Sequence, residues 1–130
     1  LMRCSRSFVL LFVLLALALS ACAESVSAPD AIESYLKAKI AADEKKLTTL
    51  SCAAWEAQAA LEAAPFRSVK AQLDGLACRE NGQDGDATLV TCEGTLVITY
   101  RGEAPRQQSL AGTTYRAVKE DGVWRMCGQQ

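Results

Sequence analysis

Three turn signals in the second half of the chain constrain the fold more than any other feature. Asn81-Gly82 with Asp84-Gly85, then Arg101-Gly102-Glu103-Ala104-Pro105, then Asp121-Gly122 separate four stretches of strand character, 66–79, 87–100, 108–119 and 123–127. Connections this short join neighbouring antiparallel strands, so the four predict a meander that closes on a tight Asp121-Gly122 hairpin. Upstream of Pro65 the chemistry is helical instead. Pro29 with Asp30 and Glu33 reads as a helix start, because proline suits the first turn and acidic side chains meet the positive end of the helix dipole. Ile32, Leu36 and Ile40 recur at helical spacing with Tyr35 beside them. The chain should loosen near 43–46, and the alanine-rich stretch 52–64 forms further helix that Pro65 stops. Two to three N-terminal helices must then cover one face of a curved four-stranded antiparallel meander, which is an α+β domain.

The first residues bear on the compartment. Arg3 and Arg6 precede an unbroken apolar run from Phe8 to Leu19, shorter than the roughly 20 residues of a spanning helix and suited to a signal peptide. The run closes on Leu19-Ser20-Ala21-Cys22. This resembles the lipobox of bacterial lipoproteins, in which an aliphatic and two small residues precede the cysteine that is lipidated. The resemblance implies cleavage before Cys22, a diacylglycerol thioether on its thiol, and stable attachment to the membrane, for which two lipid signals suffice. The alternative is an ordinary small-residue cleavage site around Ala21-Cys22-Ala23. The expected organisation is a lipoprotein signal peptide over 1–21, a tether over 22–28 and a single domain over 29–130, facing the periplasm or the exterior.

Export makes the cysteines legible. Of the six, Cys4 leaves with the signal peptide and Cys22 takes the lipid, so Cys52, Cys78, Cys92 and Cys127 remain, an even number that favours disulfides. A four-thiolate zinc site is the rival, but structural zinc sites bring closely paired cysteines and these stand far apart. Cys78 and Cys92 are equally distant from Gly85 and would oppose each other across the first hairpin, within bonding reach. Cys92 and Cys127 would lie two strands apart, about 9.5 Å at the usual strand spacing. Of three connectivities, Cys78 with Cys92 and Cys52 with Cys127 is favoured, each bridge adding roughly 2 to 4 kcal/mol.

Loss of residues 1–21 removes two of the 14 basic residues, Arg3 and Arg6, and none of the 15 acidic ones, for a mature net charge near −3. No basic stripe and no aromatic interleaved with Lys or Arg speaks for nucleic acid. The chain has no histidine, which removes histidine-based general acid–base and nucleophilic catalysis together with histidine metal sites. Oxidised cysteines remove thiolate chemistry as well, and none of Gly82, Gly85 or Gly102 opens a helix in a phosphate-binding pattern. The groups left for chemistry are Asp43, Glu56, Asp74, Tyr35, Tyr100 and Tyr115. Each also has a structural reading. Asp74-Gly75 marks a bulge or turn, Asp43 caps or bends a helix, and Tyr35, Trp55, Tyr100, Tyr115 and Trp124 form the core between helices and sheet.

The order of helix, broken helix, helix and meander, with YLKAKIAADEKKLTTLSCAAWEAQA early and YRAVKEDGVWRMC late, resembles exported lipoproteins of the nuclear transport factor 2-like (cystatin-like) superfamily over about 29–127. The closing pattern from Tyr115 to Trp124 and the Asp43 after the first helix carry the likeness. There is no room between Leu50 and Ala53 for the strand pair that often lies between the helices, so a smaller cone is expected. The superfamily hosts isomerases, dehydratases and non-catalytic modules. The expectation is a lipid-anchored binding or interaction module without a catalytic constellation, metal or cofactor. Its partners would be the membrane through Cys22 and an envelope protein or a small apolar ligand. The alternative is a minimal ketosteroid-isomerase-like enzyme with Asp74 as base and Tyr100 or Tyr115 as oxyanion donor, or a small apolar ligand binder, using the cone between helices and sheet.

Overall fold

The structure, a computed structural model, describes residues 25–130; the apolar run and the Cys22 lipidation site lie outside them. Helix α1 (Ala28–Ile40) starts at a capping box, in which the Ser27 hydroxyl accepts the Asp30 N–H at 3.2 Å and the Asp30 carboxylate accepts the Ser27 N–H at 3.0 Å. Two otherwise orphaned donors are satisfied, and Pro29 sits in the first turn where its missing N–H costs nothing. Ala42 takes a positive φ of 52°, and Asp43 caps α2 (Glu44–Leu50) by accepting the Lys46 N–H at 3.0 Å. A 3-10 turn (Ala53–Trp55) leads into α3 (Glu56–Ala63). Pro65 does not simply end this helix: it opens a second 3-10 turn (Ala64–Ser68), which delays the first strand.

The strands are β1 (Lys70–Asp84), β2 (Ala87–Thr99), β3 (Arg106–Ser109), β4 (Thr114–Glu120) and β5 (Val123–Gln129), in one antiparallel sheet ordered β1-β2-β4-β5 with β3 also on β2. Five strands replace the expected four, because the stretch 108–119 is broken. At Gly94 (φ +122°) β2 loses its regular pairing, and at Gly112 (φ +96°) the incoming chain turns. One half of β2 therefore pairs with β4 and the other with β3. Asn81-Gly82 is likewise not a turn. It lies inside β1 at an irregularity between Glu80 and Gln83, and the hairpin loop is Gly85-Asp86 alone. Asp74-Gly75 forms a second bulge.

Alternation along the strands decides which side chains meet the helices. Val90, Cys92, Tyr115, Ala117 and Met126 from the sheet pack on Ile32, Tyr35, Leu36, Leu47, Ala59 and Ala63 from the helices. Small Ala59 and Ala63 let α3 come close. Tyr100, expected in this core, instead ends β2 at the surface, 39% exposed, with the Arg106 guanidinium over its ring at 5.2 Å. Trp55 and Trp124 are half-buried at the core margin.

Disulfides join Cys78 to Cys92 and Cys52 to Cys127. The first links directly opposed positions of β1 and β2. The second fastens the end of the α2 segment to β5, where the Cys52 N–H also donates to the Met126 carbonyl at 2.9 Å and Ser51 forms a single parallel bridge with Met126. Glu33 ties α1 to the free edge of the sheet by accepting the Cys78 N–H at 3.0 Å. Among the described residues no helix is long and apolar enough to cross a membrane, and the two disulfides fit an oxidising compartment.

Candidate functional site

The most unusual polar group in the fold is Glu62. It lies on the face of α3 that also carries Ala59 and Ala63, so the helix turns a carboxylate into an apolar layer, leaving the side chain 8% exposed. Its Oε2 receives the Lys39 ammonium at 3.1 Å and the Tyr35 hydroxyl at 3.0 Å, and Trp55 Nε1 donates to that hydroxyl at 3.1 Å. Oε1 is buried with no partner among the described residues. Burial raises the pKa of Tyr35 well above the ordinary tyrosine range; the Trp55 N–H opposes this, and the Glu62 charge adds to it. Tyr115 is also raised, first by burial and then by the Glu62 charge, against a hydrogen bond from Thr113. Both phenols are therefore firmly protonated donors.

Beside this cluster is a cavity of about 180 Å³ between α1 and the sheet. Its apolar wall includes Leu36, Ile40, Phe66, Leu73, Leu96 and Leu110, and Lys39, Gln108, Ser109, Thr113, Tyr115 and Gln129 give it a polar side. The opening exists because of the break between β3 and β4: the chain from Leu110 to Thr113 steps away from β2, held by the Leu110 N–H donating to the Gly94 carbonyl at 3.0 Å. An apolar wall facing a cation, hydroxyls and amides can hold and orient a small molecule by an oxygen atom. Proton abstraction there would require an accessible base; no carboxylate among the described residues lines the cavity, and Glu62, which holds the lining Lys39, is already engaged by a cation and a phenol.

Of the residues read from the sequence, Tyr115 reaches the cavity and Tyr35 reaches the Glu62 cluster. Asp74 does not. It is exposed on the solvent face of β1, hydrogen-bonded by the Gln72 amide at 3.0 Å, and it lines no part of the cavity. Tyr100 is at the surface and lines no part of the cavity either. The Asp74 and tyrosine pairing of an isomerase is thus not assembled. Asp43 is an exposed cap and Glu56 is exposed at the start of α3. Among the described residues no three His, Cys, Asp or Glu side chains converge as a metal site would need. Glu62 and Lys39 were not singled out from the sequence, although Ala59, Glu62, Ala63 and Phe66 share a helical face on which Glu62 is the one charged residue.

No family model matches the chain, and no curated protein does. Among solved structures it is similar to the solution structure of a SEC-C motif containing protein from Rhodopseudomonas palustris, at 12% identity and a TM-score of 0.52, covering 82% of this chain and 80% of that one. At that identity the likeness is one of fold.

Proposed function

We propose that this chain is a lipid-anchored binding module, exported and held at the membrane through Cys22, with a domain of the nuclear transport factor 2-like (cystatin-like) kind. In the cavity between helices and sheet it takes a small, mainly apolar ligand carrying one hydrogen-bond-accepting oxygen. The observation that carries this reading is a cavity of about 180 Å³ in which an apolar wall built around Leu36, Leu96 and Leu110 faces a polar side that includes Lys39, Gln108, Thr113 and Tyr115. A cavity of this order admits a ring the size of benzene, so the ligand has roughly the bulk of a phenol or a cyclic ketone. The absence of histidine and the outward, exposed side chain of Asp74 support binding over isomerase chemistry.

The test is a nuclear magnetic resonance titration with phenol and cyclohexanone. Saturable shifts at Leu36, Leu96, Leu110 and Tyr115, removed by a cavity-filling Leu110→Trp, are expected. Saturation absent from all four positions would reject the cavity and move the search to envelope proteins that dock on the outer surface. The anchor is tested separately. Metabolic labelling with an alkyne fatty acid should mark the wild-type chain and not a Cys22→Ser variant.

A further inference from the structure

At one end of the sheet, remote from the cysteine-linked hairpin, the start of β1 and the end of β2 border an open cleft of about 560 Å³ lined by residues from Arg67 to Lys70 and from Thr99 to Glu103. This volume lies within the roughly 300 to 1,000 Å³ usual for ligand sites. The turn that forms one wall is fixed by the Glu103 N–H donating to the Tyr100 carbonyl at 3.0 Å, with Gly102 at φ +79°, which a left-handed position requires. Arg106 stacks over Tyr100 and pairs with Glu103 at 2.7 Å, so these three side chains brace one another. The opposite wall begins at Lys70, whose Cα pairs with that of Thr99.

The charges of this wall do not cancel. Glu103 is taken by Arg106, and Arg67 is taken by Glu44. Lys70 and Arg101 both line the cleft and have no carboxylate partner among the described residues. Two uncompensated cations stand here in a chain whose formal net charge is negative. Lys70 supplies a point charge and Arg101 a planar fork that grips phosphate oxygens in pairs. Val69 and Tyr100 give the cleft an apolar side. We infer that this cleft is a second binding site, for a small soluble phosphate monoester. The two charges of that group match the two cations, and its organic part lies against Val69 and Tyr100.

The direction of α1 favours a soluble ligand over the headgroups of the anchoring membrane. Glu33, early in α1, meets Cys78, while Leu36 and Ile40 further along it line the cavity with Leu73. The helix start, where a tether would enter, is thus near the far end of β1, and the cleft is at the opposite end. This orientation rests on the anchor at Cys22, whereas the charge argument does not.

The full chain in a non-ionic detergent, titrated with phenyl phosphate and followed by amide resonances, tests the inference. Saturable shifts at Lys70, Arg101 and Gly102 are expected, and they should weaken at high salt because the cations are near the surface. Lys70→Gln with Arg101→Gln should weaken binding about tenfold. A control that removes the same charge elsewhere, Lys37→Gln with Arg79→Gln, should not change it. The inference is overturned if phenyl phosphate gives no saturable shift, if the control weakens binding equally, or if only vesicles containing phosphatidylglycerol shift these resonances. Because the cavity and the cleft have separate reporters, failure of one reading is distinguishable from failure of the other.

Discussion

Glu62 shows how a single residue couples packing to titration. Its carboxylate holds Lys39 and Tyr35 together inside the helical layer, so neutralising it leaves a half-buried ammonium without its counter-charge. Glu62→Gln should cost about 2 kcal/mol at neutral pH, read from urea denaturation; a change within a few tenths would show that water replaces the carboxylate freely. The tyrosines around it set the alkaline limit. Tyr35 and Tyr115 hold their protons more strongly folded than unfolded, so the unfolded chain loses protons first as pH passes about 10. Their contribution to stability is full below that pH and is lost as pH rises through the folded values. Urea midpoints should therefore be flat to about pH 10 and then fall, less steeply in Tyr35→Phe; an identical slope in that variant would remove Tyr35 as a cause. Tyr35 and Tyr115 were legible as buried aromatics. Glu62 was not, because a helix that is half alanine gives little contrast from which to tell an inward glutamate from an outward one.

At the scale of elements, the sheet was legible where turn chemistry is short and specific and illegible where glycine bends a strand. Asp121-Gly122 combines two positive φ values, 51° and 77°, in a two-residue hairpin, which few other residue pairs allow. Gly82 and Gly112 also adopt positive φ, yet one makes a bulge and the other divides a strand, and the same residue type fits both outcomes. Gly94 is the decisive one. A Cβ there would approach the Asp74 carbonyl oxygen to 2.8 Å and the Gly75 backbone to 3.0 Å, in a backbone conformation that side chains rarely adopt. The two strands thus approach closely where the β1 bulge at Gly75 meets Gly94, and this bend hands β2 from β4 to β3 and opens the cavity. Gly94→Ala should lose about 2 kcal/mol or more of stability, seen as a lower thermal midpoint. It should also shift the resonances of Leu110 and Thr113, which line the opening; Gly85→Ala, with nothing within 4 Å of its added methyl, should leave those two resonances in place.

For the molecule as a whole, the two disulfides make different demands on the unfolded chain. Cys52–Cys127 closes a separation of 75 residues and Cys78–Cys92 one of 14. Chain entropy alone then assigns about 4 kcal/mol to the first and about 3 kcal/mol to the second. Their positions add a qualitative difference. The short bridge lies within a hairpin that long ladders already hold, whereas the long bridge joins the helical layer to β5 next to a single isolated β-bridge. Removal of the long bridge should therefore loosen the helices before the sheet. In Cys52→Ala with Cys127→Ala, amide exchange at Leu47, Ala59 and Ala63 should accelerate well beyond that at Val90 and Cys92, while Cys78→Ala with Cys92→Ala should accelerate exchange across both layers by the same factor. Uniform acceleration in both variants would mean that helices and sheet unfold as one cooperative unit, with burial around Tyr35 and Met126 sufficient to hold them together without the covalent link.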